Sequence, residues 1–201
     1  MLKQWQWLYK FLYWPVTVYF HILHPVWKVT GRENIPEQPY VLVANHSSAT
    51  DPIYITSAVH PKKMYRIMAK KEVMQVPVFG RILQRIGAFA VDRDGDAVSA
   101  MLISMKTLRS KQALLIFPEG TRNRPGKVIV PKSGPAILAV RCNVPVIPAY
   151  LSQKKRLFSK ITITFGEPYY ITPENKHMTE EEEHRYATEM VEKCYALGGS
   201  K

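Results

Sequence analysis

Cysteine, acidic side chains and unbroken hydrophobic stretches are all scarce in this 201-residue sequence. The two cysteines, Cys142 and Cys194, supply neither a disulfide framework nor the ligand spacing of a metal site. Such sparing use suits a reducing compartment. Asp and Glu number 16 against 28 Lys and Arg, a formal net charge of +12. The deficit of acids leaves a surface that attracts anions: nucleic acid, acidic lipid or phosphorylated substrates. The longest stretch free of charge, Phe11 to Trp27, is interrupted by Pro15, His21, His24 and Pro25. A bilayer span wants about 20 predominantly apolar residues, so no clean transmembrane helix is read here. A small-residue cleavage site is also missing, which makes the segment a poor signal peptide. Internal repeats and low-complexity tracts are absent as well.

The excess positive charge is uneven. Between Lys62 and Arg141 there are 16 basic residues against five acids, whereas Glu180 to Glu183 form an acidic run. That run suits the solvated start of a helix, where carboxylates meet the positive dipole end. Residues 1–27 hold all four tryptophans, with Tyr9, Phe11, Tyr13, Tyr19 and Phe20 among them. On a helix, Lys3, Gln6, Lys10, Thr17, His21 and His24 fall within an arc of roughly 60° and nearly everything else is apolar. Trp and Tyr favour the headgroup level of a bilayer. The segment therefore reads as an amphipathic aromatic helix, or a helical hairpin bent at Pro15, lying in one leaflet. The alternatives are a helix packed on the domain, or a true span. Residues 1–30 are assigned to this segment and 31–201 to an α/β domain.

Beyond Gly31 the pattern alternates. Strands are expected at Tyr40–Asn45, Met64–Ala69, Ala88–Val91, Ala113–Phe117, Val144–Leu151 and Ile161–Phe165. Helices are expected at Pro52–Val59 with Asp51 as N-cap, Lys70–Arg85, Gly95–Lys111, Lys132–Cys142 and Thr179–Leu197. Thr179 and Glu182 have capping-box spacing. The alternation predicts an α/β fold, a mostly parallel sheet flanked by helices.

The chemistry-bearing residues stand at predicted strand ends. In Asn45-His46-Ser47-Ser48-Ala49-Thr50-Asp51-Pro52 a short loop returns a carboxylate toward an imidazole. A carboxylate on one ring nitrogen fixes the tautomer and leaves the other nitrogen as a base, suited to an alcohol proton. The bland reading is that Asp51 only caps its helix. In Phe117-Pro118-Glu119-Gly120-Thr121-Arg122 a carboxylate, a glycine, a hydroxyl and a guanidinium follow a strand, and Arg122, Arg124 and Lys127 make a possible anion clamp. Gly87 to Arg93 is a strand that delivers Arg93. Val144 to Tyr150 carries Pro145 and Pro148, which points to an edge strand or a pocket wall. A nucleic-acid module is disfavoured because the aromatics lie apart from the basic middle, so no stacking platform forms.

These four blocks, in this order, resemble the lysophosphatidic acid acyltransferase family of glycerolipid acyltransferases, over roughly residues 30 to 170. Ala90 stands where a bulkier residue is usual. The resemblance implies an enzyme in which His46 is the general base and Asp51 orients it. Arg93, Glu119, Gly120, Thr121, Arg122 and Pro145 are implied to bind substrate, with backbone N–H groups near Gly120 or Pro145 facing the oxyanion. It implies acyl transfer from acyl-CoA or acyl-carrier protein to the sn-2 hydroxyl of lysophosphatidic acid, giving phosphatidic acid. No metal or other cofactor is expected, nor a nucleic-acid partner. The expected setting is an anionic membrane surface, bound peripherally or monotopically, with the site on the cytoplasmic side. Glycerol-3-phosphate or another lysolipid as acceptor, or a catalytically silent lipid-binding relative, are the alternatives.

Overall fold

The strands are β1 (Trp27–Thr30), β2 (Val41–Ala44), β3 (Tyr65–Lys70), β4 (Ala88–Val91), β5 (Ala113–Ile116), β6 (Val146–Leu151) and β7 (Ile161–Phe165), and β2 and β5 are short runs of Val, Ile, Leu and Ala alone. They make one sheet ordered β1-β7-β6-β2-β5-β3-β4. The structure, a computed structural model, describes residues 5–37, 39–59, 64–91, 97–123, 129–174 and 178–199. Pairing is parallel except between β6 and β7. The central strands β2 and β5 are buried at every residue, as interior strands covered on both faces must be.

The covering helices are α1 (Gln6–Leu23), α2 (Asp51–Ala58), α3 (Lys71–Gln75), α4 (Phe79–Arg85), α5 (Ala97–Arg109), α6 (Gly134–Cys142) and α7 (Glu180–Ala196). Alternation along β2 splits the core in two. Leu42 and Ala44 pack with Phe20, Tyr54 and Ile55 of α1 and α2. Val41 and Val43 pack with Leu108, Leu138 and Met190 of α5, α6 and α7. The expected mostly parallel α/β architecture is therefore the observed one. The capping box is present too: Glu182 N–H donates to Thr179 Oγ1 and Thr179 N–H to Glu182.

Four local expectations need correction. Lys70–Arg85 is two helices, because Pro77 cannot continue a helix and holds Val76 extended. The chain turns there through Val78, at φ +63°, with Phe79 N–H donating to the Pro77 carbonyl at 2.6 Å. That is a γ-turn of the rare strained hand. Gly80 then lies so close to α3 that a Cβ would sit 2.0 Å from the Met74 carbonyl oxygen. Second, Trp27–Thr30 belongs to the sheet as an edge strand, so the sheet begins before residue 31; its partner β7 lies far along the chain and leaves no local signal. Third, β6 is interior rather than an edge. Pro148 is tolerated because its missing donor falls where the antiparallel ladder to β7 begins, at Ala149 opposite Phe165. Fourth, α1 runs as one helix through Pro15, not as a hairpin.

That helix has two apolar faces. One packs inward: Phe20 meets Tyr54 edge-on at 4.8 Å, and Thr17 donates to Ser57 Oγ. The Tyr13 hydroxyl shares its proton between the carbonyls of Ser57 and Val59, each 2.9 Å away. Those carbonyls are among the unsatisfied acceptors at the end of α2. On the other face Trp7, Phe11, Trp14, Val18 and Ile22 are each more than half exposed. No helix among the described residues is long and apolar enough to cross a membrane.

Candidate active site

Two neighbouring parallel strands, β2 and β5, end side by side, and each is followed at once by candidate site residues. Crevices beyond the carboxyl ends of such strands are where open α/β sheets bind ligands. After β2, Asn45 turns its amide inward. Its Nδ2–H donates to the Leu151 carbonyl (2.9 Å) and its Oδ1 accepts from Leu151 N–H (2.8 Å). The side chain thus mimics a peptide group and pins the start of the loop to the end of β6.

The next residue is His46. Its Nδ1–H donates to Asp51 Oδ2 at 2.9 Å, and its ring stacks on Phe117 with centroids 4.2 Å apart. Because an ionised carboxylate only accepts, this contact places the proton on Nδ1 and leaves Nε2 as the acceptor. Asp51 is not the N-cap. Thr50 holds that position without a capping bond, and Asp51 is the first residue of α2. Its carboxylate instead reaches back into the loop, accepting N–H bonds from Ser47 (2.6 Å) and Ser48 (2.7 Å) on the oxygen that also holds His46. The other oxygen meets Lys155 Nζ at 2.8 Å. Lys155, itself nearly buried, also donates to Ser47 Oγ at 2.7 Å. Burial alone would raise the Asp51 carboxyl. The bond from His46, the charge and bond of Lys155 and the Ser48 N–H outweigh it, so it is held below its ordinary value.

After β5, Glu119 is buried beside the same histidine. Its Oε1 accepts from the His46 backbone N–H (3.3 Å) and from the Tyr195 hydroxyl of α7 (2.8 Å). Burial raises the Glu119 carboxyl, only partly offset by these two donors. No described residue hydrogen-bonds Oε2, which is also buried. A carboxylate oxygen in that state is a ready acceptor for a hydroxyl brought by a ligand. The Tyr195 hydroxyl accepts from Asn123 Nδ2 (2.9 Å) and Gln153 Nε2 (3.2 Å). Burial first, then its bond to Glu119, push the Tyr195 phenol up to about 12.

The structure therefore brings His46, Asp51, Glu119 and Gly120 to one place. Gly120 takes φ +65°, a turn conformation that favours glycine, and its N–H is spent on the Phe117 carbonyl at 3.0 Å. Thr121 and Arg122 follow directly. Asn123 N–H donates to the His46 carbonyl at 2.7 Å, which ties this segment to the loop, and Arg122 is exposed. Arg93, Arg124 and Lys127 lie outside the described residues. Pro145 is not brought in. Its carbonyl accepts from Val41 N–H, at the start of β2, so it sits at the opposite end of the strands, roughly 15 Å below His46. What meets the site is the far end of β6, at Leu151, and the loop beyond it. Asn45, Lys155 and Tyr195 were missed. Lys155 stands in a basic run that resembles solvated charge, and Tyr195 is one of several aromatics on a terminal helix. Only Asn45, next to His46, carried a local hint.

This arrangement can hold a neutral imidazole as a base toward a hydroxyl, with an acceptor carboxylate alongside. Comparisons with known proteins find acyltransferases. A 1-acyl-sn-glycerol-3-phosphate acyltransferase of Borreliella burgdorferi is 34% identical over 148 residues, 71% of this chain and 58% of that protein. One from Bacillus subtilis is 32% identical over 149 residues, 71% of this chain and 73% of that protein. The chain thus matches less than two thirds of the length of the Borreliella relative and of one from Streptococcus pneumoniae, 58% and 59% respectively. The crystal structure of the 1-acyl-sn-glycerophosphate acyltransferase PlsC from Thermotoga maritima shares the fold, with a TM-score of 0.70 at 24% identity, covering 96% of this chain and 82% of that one. The acyltransferase family model matches residues 26–152, a span that takes in His46, Asp51 and Glu119, and the chain belongs to that family.

Proposed function

We propose that the chain transfers a fatty acyl group from a thioester, acyl-CoA or acyl-carrier protein, to the sn-2 hydroxyl of 1-acyl-sn-glycerol-3-phosphate. The product is phosphatidic acid. The observation that carries this reading is the 2.9 Å bond from His46 Nδ1 to a carboxylate with three further donors, which leaves Nε2 free for a hydroxyl proton. His46 takes that proton as the oxygen attacks the thioester carbonyl. Asp51 stabilises the imidazolium that forms, and the thiolate leaves as the tetrahedral intermediate collapses. Transfer is direct and needs no cofactor beyond the donor substrate. Glu119 Oε2 receives a second polar group of the acceptor, and Arg122 and Arg93 meet its phosphate.

The exposed stripe of α1 docks on an anionic leaflet, so that the chain works as a peripheral or monotopic protein at the cytoplasmic face of the cell membrane. The test is acyl transfer by purified protein with both donor types and a panel of acceptors: lysophosphatidic acid, glycerol-3-phosphate and lysophosphatidylcholine. Preference for lysophosphatidic acid is expected. Equal rates on lysophosphatidylcholine would remove the phosphate-binding roles, and no transfer to any acceptor would sink the reading.

A further inference from the structure

The loop from Ser152 to Lys160 between β6 and β7 holds Leu157 and Phe158 in solvent, 62% and 68% exposed. They are the central residues of a turn closed by Ser159 N–H donating to the Arg156 carbonyl at 2.9 Å. Phe158 adopts φ +61°. The third position of such a turn favours Gly or Asn, so an aromatic ring is placed there against the local preference of the backbone. Scattered exposed apolar side chains need no explanation. This pair differs in three respects.

First, the tip is flanked by Lys154, Arg156 and Lys160, all exposed. Second, it is fastened to the end of the aromatic helix. Phe158 N–H donates to the Leu23 carbonyl at 2.8 Å, and His24 Nδ1 bonds the Ser159 carbonyl at 3.1 Å. Ile22 and Val26, both more than half exposed, lie on either side of that junction in sequence. Third, the same loop carries Lys155, which grips Asp51. An apolar wedge ringed by cations and continuous with an apolar helix face matches a leaflet rich in anionic headgroups: the rings enter the acyl boundary while the cations meet phosphate.

We propose that the β6–β7 loop is a membrane-insertion element, with Leu157 and Phe158 entering an anionic leaflet beside α1. The inference deepens the membrane part of the proposed function and rests on it, but not on the identity of the acceptor. Lys155 and Leu157 are two residues apart, so the chain between them reaches at most about 7 Å. The insertion tip therefore fixes how far the dyad stands from the lipid surface.

The experiment is sedimentation of the full chain with vesicles of phosphatidylglycerol and phosphatidylcholine, and with phosphatidylcholine alone. The variant is Leu157→Ser with Phe158→Asn, since Asn tolerates the positive φ and the fold should be kept, as circular dichroism will check. Binding to the anionic vesicles should weaken about tenfold or more. Changing Lys154, Arg156 and Lys160 to Gln should leave binding to pure phosphatidylcholine unchanged and reduce the advantage of the anionic vesicles. A tip variant that sediments like the original protein would overturn the proposal. So would light scattering in which the original chain dimerises and the tip variant does not, which would make the tip a contact between two copies. Sedimentation reads insertion without catalysis. A chain that binds through the tip yet acylates no acceptor would sink the reading of the reaction and leave this one standing.

Discussion

Lys155 Nζ lies 2.8 Å from Asp51 Oδ1, while His46 holds the other oxygen of the same carboxylate. The aspartate is thus gripped from both sides with no exposure of its own side chain. A buried carboxylate with one partner removed keeps its desolvation cost and loses its compensation. Lys155→Met should therefore lower turnover and thermal stability together. The sign of the pH effect follows from the depressed Asp51 carboxyl. Its stabilising contribution is complete above the unfolded value of about 3.8 and is lost as pH falls through the lower folded value. The stability gap between the original chain and Lys155→Met should be widest above that value and close on acidification. A gap that widens in acid would mean that Lys155 acts elsewhere.

His46→Ala should remove acyl transfer by about 10²–10⁴ in rate, the usual worth of a positioned base. Asp51→Asn should also be severe, because an amide that donates to Nδ1 favours the wrong tautomer. Both are read by steady-state assay on samples whose circular dichroism is unchanged. Turnover by folded His46→Ala at the original rate would exclude base catalysis by this residue.

Tyr195→Phe tests the link between α7 and the site. It removes a donor to Glu119 and the acceptor used by Asn123 and Gln153. Unsatisfying buried groups costs about 1–3 kcal/mol. The Tyr195 bond lowers a Glu119 carboxyl that burial has raised, so its loss raises that carboxyl further. A group with a raised folded value costs stability as pH rises from its unfolded value, about 4.5 here, through the folded one. The variant should lose stability more steeply over that window, measured as Tm against pH. An unchanged slope would show that Tyr195 does not set the state of Glu119.

Most of the fold was legible because its strands are short apolar runs between turn signals and its helices carry clear stops. The contact between His46 and Asp51 was legible because the two stand only five positions apart, at either end of one short loop. What escaped was long-range. β1 is defined by its pairing with β7, and Lys155 and Tyr195 by contacts 104 and 76 positions away, with Asp51 and Glu119. Pro145 was misplaced for a related reason. A block read as a unit does not say which end of its strand faces the crevice. The break at Pro77 could be read from that residue alone, although the helical period on both sides runs through it.

Salt and detergent separate charge attraction from apolar insertion, the two forces through which the proposed membrane binding would act. Trp7→Ser with Phe11→Ser and Trp14→Ser removes the outward stripe and spares the inward face. Deleting the helix would instead expose Phe20 and Tyr54. Each well-buried large apolar side chain contributes about 1.5–3 kcal/mol. The triple variant should be released from anionic vesicles by salt, which screens charge, whereas the original chain should need detergent. Release of the original chain by salt alone would show that the stripe does not insert.

The supports of the dyad are spread along the chain in the order in which it is synthesised. The base and its aspartate are made early. The Glu119 carboxylate that accepts the His46 N–H comes 73 positions after the histidine, Ser47 waits 108 for its lysine, and Glu119 waits a further 76 for Tyr195. Parallel sheets must close such long loops before any of these bonds can form. A nascent chain stalled before α7 would hold His46 without the Tyr195 bond that supports Glu119. If the proposed chemistry needs that support, it waits for the last helix of the chain, whose Tyr195 completes the bonds around Glu119.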